Sequence, residues 1–297
     1  MVTIHSIKKQ IRTHQYYKNS IIFLVLIFGP EYVSFENIIS VFIGFIALCL
    51  VSSANYIRND ISDIETDKIH PIKKNRPLAS GEVTVKEANL LFLAFLVCGM
   101  IISFSLDLKF GILMIIFFLI TESYTRWLKK IILVDVFTIG VNFIIRAVLG
   151  IVLIQSPISP WIIIGVFFVS LLLAFIKRKN EIDVLDKSSG LHRKTLQEYN
   201  SSSLNSMVIM AAMLVILTYS FYSLNGPYGD WRLVLTVPIV VFLVFRQVHL
   251  SSVNDPLVQK NKNMILDKPS NITAIIFGIF TIYLIYFAPT QYFSNGI

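Results

Sequence analysis

The chain has 297 residues, of which 55% are hydrophobic and only 15% charged, and its mean hydropathy is +0.70. Soluble domains usually carry about 25% charged residues, so this composition excludes a disordered chain and an ordinary cytosolic enzyme. The net charge of +8 does not indicate a nucleic-acid partner. In a membrane protein, a basic excess sets the topology and meets anionic headgroups.

The apolar residues are concentrated in nine segments, each long enough to cross a bilayer as a helix. A chain in lipid must satisfy its own backbone hydrogen bonds, so we expect these segments to be helical. They lie at residues 15–31, 36–58, 86–106, 109–127, 131–154, 158–177, 205–224, 231–250 and 271–289. The predicted fold class is an all-α polytopic membrane protein, a bundle of about nine transmembrane helices. Residues 1–297 are predicted to form a single transmembrane domain.

The basic residues are distributed unevenly among the connections. All but three of the 26 Lys and Arg residues lie in the N-terminal segment, or in and beside the connections after the second, fourth, sixth and eighth spans. The exceptions are Lys109, Arg232 and Arg146. By the positive-inside rule the N-terminus and the long loops are cytoplasmic. Nine spans then place the C-terminus outside, and the protein is expected to be integral to the cell membrane.

Residues 55–84, where the second span leaves the membrane, carry an acidic pattern. Asp60, Asp63 and Asp67 occupy relative positions 0, 3 and 7, which puts three carboxylates on one face of a helix, with Asn59 at its edge. Such like charges need a compensating cation. Mg²⁺ suits them, because it bridges a few carboxylates to substrate phosphates. We predict a magnesium–diphosphate site here; the alternative is a solvated acidic face paired with nearby lysines.

A basic, turn-rich loop follows the acidic pattern. It contains His70, Lys73, Lys74 and Arg76. Basic groups beside a carboxylate-bound metal suit a polyphosphate ligand, and an arginine can bind phosphate through two hydrogen bonds. We predict that Lys73 and Arg76 bind substrate; the alternative is a loop whose charge serves only topology.

Arg146 lies within the 24-residue fifth span. An arginine in such a segment is energetically costly and usually faces a cavity or an anion. Its alternatives are snorkelling or an ion pair with Asp135, but Asp135 is about 16 Å away along a helix. We predict a catalytic role for Arg146. Polar residues at the ends of the first and fourth spans, namely Lys18, Tyr124 and Lys129, are predicted to bind substrate.

A third group of charges follows the sixth span, in residues 175–200. We predict that five of its residues bind substrate: Lys177, Arg178, Glu181, Arg193 and Tyr199. The alternative is a solvated helix with alternating charge.

The nine spans and the segment NDISDIETD together resemble the UbiA superfamily of intramembrane prenyltransferases. The first motif of that family, N-D-x-x-D-x-x-x-D, matches Asn59, Asp60, Asp63 and Asp67. The resemblance implies that these residues bind Mg²⁺ and a diphosphate at the mouth of a helical bundle. The second motif of the family is also rich in aspartate, whereas here the sixth span is followed by KRKNEID.

One branch of the superfamily, the decaprenyl-phosphate phosphoribosyltransferases, resembles this sequence more closely. The shared patterns are RTHQYYKN at the first span, the D-x-x-x-D-x-x-H-P-x-K-x-x-R-P stretch from Asp63, the residues around Arg146, K-R after the sixth span, R-K-x-L-x-x-Y from Arg193, and D-K-P at Asp267. The branch implies transfer of 5-phosphoribose from phosphoribosyl diphosphate to a polyprenyl phosphate, with release of pyrophosphate. The implied partners are a polyprenyl lipid, a soluble diphosphate donor and the membrane.

The basic cluster after the sixth span, Lys177 to Lys179, fits that branch, because this donor and this acceptor carry more phosphates than a prenyl diphosphate and a phenol.

Two other functions stay open. One is prenyl transfer from a prenyl diphosphate to an aromatic or other acceptor. The other is a transporter or channel for phosphorylated metabolites. A homo-oligomer is compatible with the sequence.

Overall fold

The computed structural model describes residues 4–69, 73–157, 159–185, 199–226, 231–252 and 267–287. Within these ranges the regular elements are all helical. The α-helices are α1 Ile4–Gln10, α2 Leu24–Phe28, α3 Phe35–Ser62, α4 Ile64–Ile69, α5 Pro77–Ser80, α6 Val85–Leu106, α7 Leu108–Arg126, α8 Val134–Ile154, α9 Pro160–Leu185, α10 Ser201–Asn225, α11 Trp231–Val234, α12 Val237–Ser252 and α13 Lys268–Tyr286. Short 3₁₀ helices occur at Thr13–Phe23, Pro30–Tyr32, Lys73–Asn75 and Leu128–Lys130.

Eight helical segments of the described chain are long and apolar enough to cross a membrane. They coincide with the last eight predicted spans, and large apolar side chains such as Phe42, Leu90 and Ile101 are exposed on them. In lipid such exposure carries no penalty, because the surroundings are as apolar as the side chain. The prediction of an all-α polytopic membrane fold is confirmed.

The first predicted span differs from a regular α-helix. Its residues form the 3₁₀ helix Thr13–Phe23 followed by α2, which ends before Gly29. A 3₁₀ helix rises about 2.0 Å per residue and an α-helix 1.5 Å, so these sixteen residues cover about 30 Å, the thickness of a hydrocarbon core. The first predicted span is therefore about as long as a hydrocarbon core is thick, although most of it is not an α-helix.

This 3₁₀ segment lies along α8. Asn19 contacts Arg146, and the backbone at Ile22 lies so close to Gly150 that a Cβ there would overlap the Ile22 carbonyl. Glycine is therefore required at position 150, because any side chain would push the two elements apart. The two segments run in the same direction, since residues later in the first meet residues later in α8.

The chain divides into two compact units. The first comprises Met1–Pro157 together with residues 190–195. Within it, α3 packs against α6, α7 and α8, around a core of fully buried apolar side chains. These include Ile22, Leu48, Phe110, Phe117 and Leu149. The prediction of one transmembrane domain over the whole chain stays a prediction.

The second unit comprises Ile158–Ser189 and Leu196–Ile297. In it α9 packs against α10, and α12 against α10 and α13. Asp267 is the N-cap of α13: it accepts from the backbone of Ser270 and forms an ion pair with Arg246 at 2.9 Å. The hydrogen bond from Arg246 makes the largest contribution to lowering the pKa of Asp267, and those from Ser270 add to it. Together they hold this pKa well below its ordinary value. The D-K-P sequence thus begins a helix here.

Candidate active site

Asp60 is the most enclosed of the predicted acidic residues, with 2% of its surface exposed. It lies in the last turn of α3. Its Oδ1 accepts from Arg12 and, at 3.1 Å, from Arg76, while its Oδ2 accepts from the Gln10 amide at 3.1 Å. A buried carboxylate is tolerated only when it is paired and hydrogen-bonded, and here three donors from two segments meet that requirement.

The three predicted carboxylates do not share the face of one continuous helix, because α3 ends at Ser62 with Asp63 as its C-cap (φ −102°, ψ 7°), and α4 begins one residue after Asp63. Asp67 accepts from Arg76 at 2.5 Å, so Arg76 joins it to Asp60. Asp63 instead accepts from Lys129 at 2.8 Å and from Asn59 at 3.2 Å. The acidic motif therefore turns at its middle residue, which faces the 3₁₀ turn after α7.

The cluster formed by these carboxylates and their basic partners is close to electrically balanced. The acidic members Asp60, Asp63 and Asp67 are matched by the basic members Arg12, Arg76 and Lys129. We call these six residues the charged cluster. A divalent cation added to it would leave an excess of positive charge, which is the condition that a diphosphate ligand requires.

The N-terminal segment contributes two residues that contact Asp60, namely Gln10 and Arg12. Neither was predicted to belong to the site. Gln10 is fully buried, and Arg12 has a left-handed backbone (φ 53°) while its guanidinium lies 5.2 Å from the Tyr56 ring centre. The segment is held in place because Ser6 donates to Glu82 at 3.0 Å. A non-glycine residue with positive φ is uncommon and often marks a functional site, but that signal is visible only in the backbone.

Arg146 occupies a second polar centre, farther inside the first unit. Its Nε donates to Asn19 at 3.0 Å, its Nη1 donates to the Asn142 carbonyl at 3.3 Å, and the rings of Phe117 and Phe143 lie within 5 Å of the guanidinium. Only 8% of Arg146 is exposed. In the described part of the chain no carboxylate pairs with it, Asp135 included. The groups that contact Arg146 among the described residues are all neutral.

The other predicted ligands of the first unit lie near these centres in the chain. Lys18 directly precedes Asn19 and lies 5.9 Å from the Tyr17 ring centre. Lys73 begins the 3₁₀ turn that leads to Arg76. Tyr124 lies in the last turns of α7, five residues before Lys129. Their roles as substrate ligands stay predictions.

Four of the five predicted ligands after the sixth span belong to the second unit, namely Lys177, Arg178, Glu181 and Tyr199. Arg178 is 4% exposed and donates to Glu181 at 2.6 Å, whereas Lys177 is 4.0 Å from the same carboxylate. Tyr199 is buried just before the N-cap of α10. Arg193 lies outside the described residues. Lys179, which was not predicted as a ligand, is nearly buried and donates to Asn205 at 2.9 Å.

The donor atoms of the charged cluster fit Mg²⁺ chemically. Its three carboxylates supply oxygen atoms, and the amides of Asn59 and Gln10, which lie beside the cluster, supply others; both kinds are hard ligands that this ion prefers. The buried Oε1 of Gln10, beside Asp60, has no hydrogen-bond partner among the described residues. The side chains are nevertheless arranged as ion pairs: in the described chain, no three Asp, Glu, His or Cys residues converge as a metal-binding group.

Comparison with known proteins identifies the family. The sequence profile of the UbiA prenyltransferase family matches residues 20–265. The chain belongs to the UbiA prenyltransferase family. The predicted resemblance and the prediction of a membrane transferase are thereby confirmed.

Two curated relatives of this UbiA protein have different names. A decaprenyl-phosphate phosphoribosyltransferase from Mycolicibacterium smegmatis is 27% identical over 251 residues, which cover 80% of this chain and 79% of that protein. A digeranylgeranylglyceryl phosphate synthase from Sulfolobus acidocaldarius is 32% identical over 211 residues, or 68% of this chain and 74% of that protein. Each of the two names contains a lipid that carries a phosphate group.

A solved structure supports the fold. The UbiA homolog from Archaeoglobus fulgidus bound to GPP and Mg²⁺ superposes with a TM-score of 0.70 at 15% identity, covering 94% of this chain and 99% of that one. The UbiA fold, an integral membrane fold, is therefore that of this chain as well.

Proposed function

We propose that this UbiA protein transfers 5-phosphoribose from phosphoribosyl diphosphate to a polyprenyl phosphate, releasing pyrophosphate. The main support is Arg146, a buried guanidinium with only neutral partners. A buried charge without a counter-ion is costly in a membrane interior, so Arg146 is best explained by an anion that arrives with substrate. The name of the mycolicibacterial relative points to the same reaction.

The two centres suit two anionic substrates. Ser52 of α3 hydrogen-bonds Asn19 of the Arg146 centre, and Asp60 of the charged cluster lies eight residues, about 12 Å, along the same helix. The donor diphosphate would bind at the charged cluster and the acceptor phosphate at Arg146. Prenyl transfer to an apolar alcohol would need only the first centre.

In this mechanism the acceptor phosphate is already an ionised nucleophile, so no general base is needed. One of its oxygens forms a bond to C1 of the ribose as the bond from C1 to the diphosphate breaks, and pyrophosphate leaves with the electron pair. Arg12, Arg76 and Lys129 would exchange their carboxylate partners for phosphate oxygens. Arg146 would fix the acceptor close to C1, so that catalysis depends mainly on positioning.

The residues that would hold Mg²⁺ are Asn59, Asp60, Asp63 and Asp67, with the Gln10 amide oxygen beside them. When bound, Mg²⁺ supplies charge neutralisation on the leaving diphosphate. The partners in this proposal are the polyprenyl lipid, the soluble diphosphate donor and the membrane.

The deciding experiment is a donor comparison with the purified protein in detergent. Phosphoribosyl diphosphate and geranyl diphosphate are each supplied with a polyprenyl phosphate, with 4-hydroxybenzoate and with geranylgeranylglyceryl phosphate, and released pyrophosphate and lipid products are measured. We expect product only from phosphoribosyl diphosphate with the polyprenyl phosphate, and none after EDTA until Mg²⁺ is restored. Prenyl transfer with no phosphoribosyl diphosphate consumed would establish the alternative, prenyltransferase function.

We also propose that the charged cluster faces the cytoplasm, where a soluble nucleotide precursor is available. The distribution of basic residues supports this orientation. In intact cells, an impermeant thiol reagent should leave Ser80→Cys unlabelled and react with Ser156→Cys, in a background lacking Cys98. Labelling of Ser80→Cys alone would place the site outside the cell.

A further inference from the structure

Polar side chains form a line along one face of the C-terminal half of α3 and its C-cap. Ser52, Asn55, Asn59 and Asp63 follow one another at spacings of three, four and four residues. At about 100° per residue these positions fall within roughly 80° of the helix circumference. We call these four residues the polar ladder.

Three members of the polar ladder have hydrogen-bond partners. Ser52 donates to Asn19, Asn59 donates to Asp63, and Asp63 accepts from Lys129. Asn55 is the exception. Only 4% of it is exposed, and neither its amide nitrogen nor its amide oxygen has a hydrogen-bond partner among the described residues.

An amide buried in this way does not stabilise the fold, because both of its polar atoms have lost water without gaining a partner. An apolar side chain of the same size would avoid that cost. Polar residues retained within a membrane span are usually associated with a substrate or ion path, and each unsatisfied buried group calls for a specific explanation.

The position of Asn55 along α3 indicates which part of the substrates it would meet. It lies about 4.5 Å along the helix from Ser52, at the Arg146 centre, and about 6 Å from Asn59, at the charged cluster. In the proposed reaction, on which this inference rests, the leaving diphosphate and the acceptor phosphate occupy those two centres. The group between them is the one being transferred.

A carboxamide carries two N–H donors and one acceptor oxygen, and therefore complements neighbouring hydroxyl groups. A prenyl chain offers neither donor nor acceptor and would leave Asn55 unpaired. We infer that Asn55 hydrogen-bonds a hydroxyl group of the transferred sugar, and so selects a sugar diphosphate over a prenyl diphosphate. Sites that hydrogen-bond a substrate hydroxyl reject analogues that lack it, because their own polar groups are then left unpaired.

The test pairs a variant with donor analogues. Asn55→Leu and wild type are assayed with phosphoribosyl diphosphate and with its 2-deoxy and 3-deoxy analogues, using a polyprenyl phosphate acceptor. Wild type should lose about 5- to 150-fold in kcat/KM on at least one analogue. The variant should lose a similar factor on the complete donor and no further factor on that analogue, at a melting temperature that is unchanged or higher. Asn37→Leu, at the far end of α3, is the matched control and should behave as wild type.

The inference is overturned if wild type accepts both analogues as well as the complete donor, a result that does not require the variant to fold. It is also overturned if Asn55→Leu stays within twofold of wild type, or if it discriminates against the analogues as strongly as wild type does. Absence of any phosphoribosyl transfer by wild type would instead overturn the proposed function, so the two failures are distinguishable.

Discussion

Asp63→Asn is expected to abolish turnover and to leave the fold intact. The change removes one negative charge from the site that would bind Mg²⁺ beside the donor diphosphate. Metal stabilisation of developing charge contributes several kcal/mol, and a loss of about 4 kcal/mol corresponds to roughly a thousandfold in rate. The fold should tolerate the change, because Asp63 lies at a helix end and keeps 19% of its side chain exposed.

Two companion variants make this result specific. Glu65→Gln, two residues farther on in α4, changes an exposed carboxylate whose ion-pair partner in the described chain is Lys68, and should retain wild-type activity. Asp60→Asn should lower the melting temperature more than Asp63→Asn does, because it removes the buried negative charge that pairs with both Arg12 and Arg76. Initial rates with Mg²⁺ present, together with melting temperatures, provide the comparison. Near-normal activity of Asp63→Asn would show that the acidic motif does not hold a metal.

Charge arguments from sequence predicted much of the charged cluster. The three carboxylates were expected to need compensating cations, and Arg76 and Lys129 were expected to bind substrate. In the structure both basic residues pair with the carboxylates. Arg12 was not expected as a partner of Asp60, from which it is 48 residues distant in the chain. The break at Asp63 was also missed, because a three–four spacing is compatible with one continuous helix and carries no information about its interruption.

Of the nine spans predicted from hydropathy, eight coincide with long apolar helices of the described chain, because long apolar segments in lipid have few alternatives to helix. Hydropathy did not predict that the first would be a 3₁₀ helix, since apolarity is the same for both hydrogen-bonding patterns. Gln10 and Asn55 escaped notice for a related reason. Neutral amides give no charge signal, and only their burial and their unpaired atoms distinguish them from ordinary polar residues.

Arg146→Met is expected to change activity and stability in opposite directions. Removing one charge-assisted contact to a phosphate costs about 1.5–3 kcal/mol, or roughly ten- to 150-fold in kcat/KM, expressed mainly through the KM of the polyprenyl phosphate. The melting temperature should hold or rise, because the variant no longer buries a charge whose described neighbours are all neutral. Arg146→Lys keeps the charge but loses the planar fork of donors, and should recover only part of the activity.

The pairing of these measurements separates the two roles that a buried arginine can have. An arginine that ties helices together through Asn19 and the Asn142 carbonyl would, on removal, lower the melting temperature and affect both substrates equally. Removal of an arginine that binds the acceptor phosphate would instead leave the melting temperature unchanged or higher. It would raise the KM of the acceptor more than it raises the KM of the donor. Lower stability with unchanged acceptor KM would therefore assign Arg146 to packing, and would remove the main support for a phosphate acceptor.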